Sequence, residues 1–358
     1  MSKKLDKAQK WNKREESKME KIGICFTGVP LSVREVVELT KYAEEKGFYS
    51  VWVMEDYFLR DGISYLANLA YNTERIKLAT GLINPYTRNP VLIALTAATL
   101  DELSNGRLIL GLGAGVQPLI EQMGISFQKP LKTVEEAVKI IRLLLKNGFQ
   151  GKNTTYQGEV FKVSNVDFGT CAYFSEFGRF KPIRENIPMY IGAINKKMIQ
   201  LAGKIANGVL LSLGSAPQYI KHFVIKNLKI GAKKAGRNVE EIDIATYILC
   251  SVSKDRKEEH RAAKGFITYA LAYTPKEILN VCGYSEEEIE SIREILETKG
   301  LKEAMKHVTE DMFKTFAAIG TPEECREKIE EFIEMGTKHP IILPVGNTKL
   351  AMETVAPR

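Results

Sequence analysis

Cysteine is scarce and scattered in this chain. Five residues, Cys25, Cys171, Cys250, Cys282 and Cys325, share no C-x-x-C spacing and cannot all pair. That excludes a disulfide framework and fits a reduced, cytoplasmic protein. Histidine is as sparse. His222, His260, His307 and His339 lack metal-ligand spacing, so no metal is assigned. No run of about 18 apolar residues is present to span a membrane. Residues 1–20 are polar and lysine-rich with no apolar stretch, which rules out a secretory signal and reads as a solvated extension. No basic-aromatic stripe points to nucleic acid, and no G-x-S-x-G marks a serine nucleophile.

What remains is a large globular chain. Its 358 residues are 44% hydrophobic, enough for a sizeable core, and 51 Lys+Arg against 44 Asp+Glu leave a mild +7. That excess suits anionic small molecules better than a polyanionic partner. The density of lysine and glutamate also fits a heat-adapted source.

Short β-rich runs alternate with amphipathic helices. Strands are expected at Lys21–Phe26, Ser50–Glu55, Ile76–Leu82, Arg107–Gly113, Ile187–Gly192, Gly208–Leu213, Ile242–Val252 and Pro340–Val345. Helical spacing marks Ser32–Lys46, Gly62–Tyr71, Pro90 to Gly106, Thr133–Lys146, Lys196–Ala206 and Pro217–Ala235. Eight such units define an α/β fold, a (β/α)8 TIM barrel, rather than a doubly wound sheet. Two insertions interrupt it. After helix four, Thr155–Val163 reads as a hairpin around Gln157-Gly158, and Ser164–Glu185 as an aromatic-rich lid or external flap. Before strand eight, a helical block fills Lys257–Gly336. No low-complexity linker divides residues 21–358, which read as one domain.

Barrels of this kind bind ligands at the C-terminal ends of their strands. That rule nominates Phe26–Thr27, Glu55–Tyr57, Gly81–Asn84, Gly113–Gln117, Gly192–Asn195, Ser212–Ser215 and Val345–Asn347. Adjacent carboxylates Glu55 and Asp56 either supply acid/base chemistry or cap the next helix. In Ile191–Lys197, small residues run into a helix start where free N–H groups suit phosphate, with Asn195 as N-cap; ordinary capping is the other reading. Gly111–Gly115 (GLGAG) lacks the G-x-G-x-x-G context of a dinucleotide loop.

Four segments carry a resemblance: TGLINPYTRNP (Thr80–Pro90), ATLDELSNGRLILGLGAG (Ala98–Gly115), IPMYIGAINKKMIQLAGKIANGVLLS (Ile187–Ser212) and IGTPEECREKIEEFIEMG (Ile319–Gly336). Together they resemble the bacterial-luciferase-like superfamily, and within it the deazaflavin (coenzyme F420) branch, most closely the archaeal methylenetetrahydromethanopterin reductases. The resemblance implies hydride transfer between reduced F420 and a small, possibly pterin-type, substrate, and usually a homodimer joined through Gly62–Tyr71 and Pro90–Leu103. A reduced-FMN monooxygenase and a non-catalytic cofactor- or pterin-binding paralogue are the alternatives. It implies a non-prolyl cis peptide at Gly81–Leu82 behind the ring, Ile83 and Asn84 bordering it, and the phosphate at Gly192, Ala193, Ile194 and Asn195. Two acidic positions of the reductase pattern are here Cys25 and Val116. Other deazaflavin members carry a histidine where Asp56 stands. Glu55 or Asp56 is then the expected proton donor.

Overall fold

In a computed structural model, which describes residues 21–26, 31–170, 175–253 and 256–357, eight parallel strands close into a barrel. They are β1 (Gly23–Phe26), β2 (Ser50–Val53), β3 (Lys77–Thr80), β4 (Leu108–Leu112), β7 (Met189–Gly192), β8 (Gly208–Leu211), β9 (Asp243–Val252) and β11 (His339–Pro344). Neighbours pair in that order, and β11 closes onto β1 with Gly23 opposite Ile341. Two further strands, β5 (Asn153–Gln157) and β6 (Lys162–Asp167), form an antiparallel hairpin outside it.

The helices begin where local chemistry dictates. Ser32 and Glu35 make a reciprocal capping box at the start of Val33–Glu45. Asn89 caps Pro90–Leu103, with Pro90 in the first turn, where its missing N–H has no partner to lose. Thr321 and Glu324 repeat the capping box before Pro322–Glu334. The expected helix over Pro217–Ala235 carries a π turn at Ile220–Val224 before continuing as Ile225–Lys234.

Two expectations need correction. The helical block expected over Lys257–Gly336, with breaks at Thr274-Pro275, Gly283 and Gly300, also contains a ninth strand of the main sheet, β10 (Ala317–Gly320). It pairs with the outer half of β9, Ala317 opposite Leu249 through Gly320 opposite Val252. The ten-residue β9 outruns its neighbour β8, which covers only Asp243–Thr246, and β10 satisfies ladder groups left over. Four residues flanked by helices are too short to show a period of two.

The second concerns Ser164–Glu185, of which Tyr173 and Phe174 lie outside the described residues, as do Cys171, Thr27 and the 1–20 extension. The hairpin lies along Pro130–Gln150: the Glu136 carboxylate accepts the N–H groups of Glu159, Val160 and Phe161 at 2.8–3.0 Å. Its turn is therefore 158–161, not Gln157-Gly158. Beyond it, Phe168 is buried against Gly148. Arg184 makes a two-point bond to Asp101 (2.6 and 2.7 Å) and reaches the carbonyl of Leu108, the first residue of β4. These anchors sit at the N-terminal end of the barrel, so the described part of the segment is an external flap remote from the strand C-termini.

Candidate active site

At the C-terminal mouth, β3 ends in a main-chain bulge. The Gly81–Leu82 peptide is cis. Ile83 returns to the sheet, donating to the Gly111 carbonyl (3.0 Å) and accepting from the Gly113 N–H (3.1 Å). Leu82, half-buried, projects across the mouth. A Cβ at either Gly113 or Gly192 would overlap its side chain, so the bulge and the ends of β4 and β7 meet at this one residue. Asn84 is 1% exposed, and its Oδ1 accepts the N–H groups of Tyr86 and Thr87 at 3.1 and 2.9 Å. It builds the loop that carries the bulge into the next helix.

The two adjacent carboxylates go different ways. Glu55 faces Arg88, whose guanidinium lies 3.7 Å from it and 2.5 Å from Asp61, the N-cap of Gly62–Asn72. Burial pushes the Glu55 carboxyl up, Arg88 opposes the shift, and the Asp61 charge adds to it. Asp56 instead acts on the barrel interior. Its charge bears on the Cys25 thiol and the Tyr247 hydroxyl, two buried groups that also act on each other. Burial first, then Asp56, holds Cys25 well above the usual thiol range, so it is a neutral thiol rather than a nucleophile. Tyr247 is likewise pushed up by burial and then by its two neighbours. Its hydroxyl donates to the Gly81 carbonyl at 2.9 Å. A further tyrosine, Tyr57, sits at φ 30° and accepts the Val116 N–H at 2.6 Å; burial raises its pKa too. Val116 itself is 50% exposed.

Across the mouth, the Ala193 N–H bonds the Leu210 carbonyl (3.1 Å), and the Ile194 carbonyl accepts the Tyr219 hydroxyl (2.5 Å). Asn195 caps Lys196–Ile205 through the Met198 N–H at 3.0 Å. Lys196 and Lys197 stand exposed at that helix start.

Sequence reasoning brought Glu55, Asp56, Gly81, Leu82, Gly192 and Asn195 to the same end of the barrel. It named Tyr57 only as the end of Glu55–Tyr57, and it missed Tyr247 and Arg88. All ten residues of β9 are buried, so no apolar–polar alternation tells which of them face inward. Arg88 was legible only as part of the NPYTRNP loop.

The fold is a (β/α)8 barrel whose bulge, buried carboxylate neighbours and helix start converge on the strand C-termini. The chain belongs to the luciferase-like monooxygenase family, whose model matches residues 16–339. It is 36% identical to a 5,10-methylenetetrahydromethanopterin reductase of Archaeoglobus fulgidus, over 92% of this chain and 95% of that one. A reductase of the same description from Methanolobus tindarius is 34% identical, over 88% and 92%. Among solved structures, the coenzyme F420 dependent tetrahydromethanopterin reductase from Methanopyrus kandleri superposes with a TM-score of 0.82 at 29% identity, covering 94% of this chain and 97% of that one.

Proposed function

We propose that this protein is an oxidoreductase that transfers hydride between coenzyme F420 and a small organic substrate of the pterin type, a reading supported by relatives described as methylenetetrahydromethanopterin reductases and a solved reductase described as coenzyme F420 dependent. The observation that carries the reading is the half-buried Leu82 shelf, framed by glycines at the ends of β4 and β7. These residues fit a flat ring lying on apolar main chain, and a helix start with two exposed lysines fits its phosphate. When bound, the reduced deazaflavin supplies the hydride.

In this proposal Gly81, Leu82, Ile83 and Asn84 form the ring side of the site, and Gly192, Ala193, Ile194 and Asn195 the phosphate side. Leu82 excludes water from one face. Asp56, whose charge acts on Cys25 and Tyr247, is the carboxyl group that takes a proton from solvent and passes it to the substrate. Glu55 holds Arg88, and through it the loop behind the bulge. Residues 21–358 act as one domain after the 1–20 extension.

Quenching of F420 fluorescence on titration with purified protein, set against the same titration with FMN, tests the cofactor. Binding of F420 is the expected result. Binding of FMN alone would favour the reduced-FMN monooxygenase, and F420 binding without turnover on methylenetetrahydromethanopterin would favour a non-catalytic paralogue.

We also propose a homodimer from an archaeal cytoplasm. Tyr71 (81% exposed) and Leu92 (55%) present apolar surface on Gly62–Asn72 and Pro90–Leu103. Cys25, Cys250, Cys282 and Cys325 are free thiols. Among the described residues, no helix is long and apolar enough to cross a membrane.

A further inference from the structure

We propose that Tyr247 is a positioning residue, its hydroxyl holding the Gly81 carbonyl and thereby setting where Leu82 stands at the mouth. The inference rests on the cofactor reading above, because Leu82 is the shelf of that proposed site.

Tyr247 points inward from β9, and its ring packs edge-on to Trp52 at 6.4 Å and 82°. A phenylalanine would fill the same space. The hydroxyl must therefore justify its own burial, since an enclosed polar group without a partner is destabilising. Its single proton goes to the Gly81 oxygen at 2.9 Å. The Cys25 thiol and the Asp56 carboxylate act on the same hydroxyl electrostatically. Of these groups, only the Tyr247 hydroxyl bonds the Gly81 carbonyl. That carbonyl belongs to the peptide whose nitrogen is Leu82's, so fixing it fixes the direction in which Leu82 leaves the sheet.

Space agrees with the bond. A Cβ built on Gly81 would overlap the Tyr247 hydroxyl oxygen, while the ring carbon bearing it lies 3.3 Å away. Glycine at 81 and the hydroxyl at 247 therefore belong together, and removing the oxygen opens room for a methyl group.

The test is a cycle of wild type, Tyr247→Phe, Gly81→Ala and the double variant, each titrated with F420 and assayed for turnover. Tyr247→Phe is expected to keep its fold but to bind F420 at least tenfold more weakly and to lose kcat with little change in the KM of the second substrate. Gly81→Ala is expected to bind worst, and the double variant to recover part of that loss. Hydrogen exchange on the cofactor-free proteins supplies a reading independent of F420. The amides of Leu82 and Ile83 should exchange faster in Tyr247→Phe, with the rest of β3 unchanged. Failure of wild type to quench F420 would overturn the cofactor reading and leave the exchange arm to decide on Tyr247. Wild-type exchange at Leu82 and Ile83 in Tyr247→Phe, or a double variant no better than Gly81→Ala, would overturn the positioning role.

Discussion

Arg107 shows how much one side chain can do at a strand start. It is 6% exposed, and its guanidinium donates to the carbonyls of Ala70, Thr73, Ile76 and Ser104 and to the Thr73 hydroxyl, all within 3.0 Å. Five bonds use all five of its N–H groups. Arg107→Ala leaves those acceptors unpaired and should cost about 2–4 kcal/mol in chemical denaturation. Arg107→Lys should recover less than half, since an ammonium has three donors and no planar fork. Asp101 of the same motif receives Arg184 in the fold, so ATLDELSNGR is explained by structure rather than by ligand binding. Among the site residues, Asp56→Asn should slow turnover more than tenfold while F420 binding persists. Glu55→Gln should also slow it more than tenfold, but with weaker F420 binding because Arg88 is released. Equal turnover of Asp56→Asn and wild type in a steady-state assay would remove Asp56 as the acid.

At the scale of elements, the turn of the hairpin β5–β6 is tied to the barrel's outer helix by a single carboxylate. Burial alone would raise the Glu136 pKa, but the backbone donors of Phe161, Glu159 and Val160 outweigh it and hold it below its usual value. Glu136→Ala should leave three N–H groups without their acceptor and cost about 1–3 kcal/mol locally. Limited proteolysis is the measurement. Cleavage within 158–161 should accelerate while the barrel stays intact, and unchanged cleavage would show that the strand ladder suffices. The ninth strand makes a related point: β10 exists because β9 extends beyond β8, a need that arises only when the barrel closes.

The whole molecule carries a buried polar chain at the closed end of the barrel. Trp52 Nε1 donates to Ser50 Oγ (2.9 Å), and Ser50 Oγ lies 2.8 Å from His339 Nε2. The other ring nitrogen, His339 Nδ1, lies 3.7 Å from Asp243. Lys21 and Tyr190 also bond Asp243. Burial holds His339 below its usual 6.5 and keeps it neutral. Asp243 is lowered as well: burial opposes the shift, and His339 and Lys21 prevail. The signs agree. The unfolded chain takes up a proton at His339 below pH about 6.5 that the folded chain refuses, so stability falls as pH falls, by at most about 1.4 kcal/mol per pH unit for this group. A further loss follows below about pH 4, where Asp243 protonates in the unfolded chain. Melting temperature should therefore drop from pH 7 to 5, and a flat profile would show that His339 is charged in the fold. Since β1 and β11 close one sheet, calorimetry should show a single transition. Leu92→Glu should weaken the proposed dimer tenfold or more, about 1.4 kcal/mol, in sedimentation equilibrium.

The order of strands and helices was legible because it rests on local causes: capping residues, proline at a first turn, glycine after a helix, and helical or strand periodicity. The placement of the mouth followed, since every strand end of a parallel barrel lies on one side. What only the tertiary structure decided is which side chains meet there. Glu55 and Asp56 are neighbours in sequence, but Glu55 faces Arg88 while the Asp56 charge acts on Cys25 and Tyr247. Tyr247 finds Gly81 across 166 residues, in a strand so uniformly buried that its pattern carries no direction. Position along the chain sets which elements form; closure of the barrel sets their register and rotation, and with them the partner of each inward side chain.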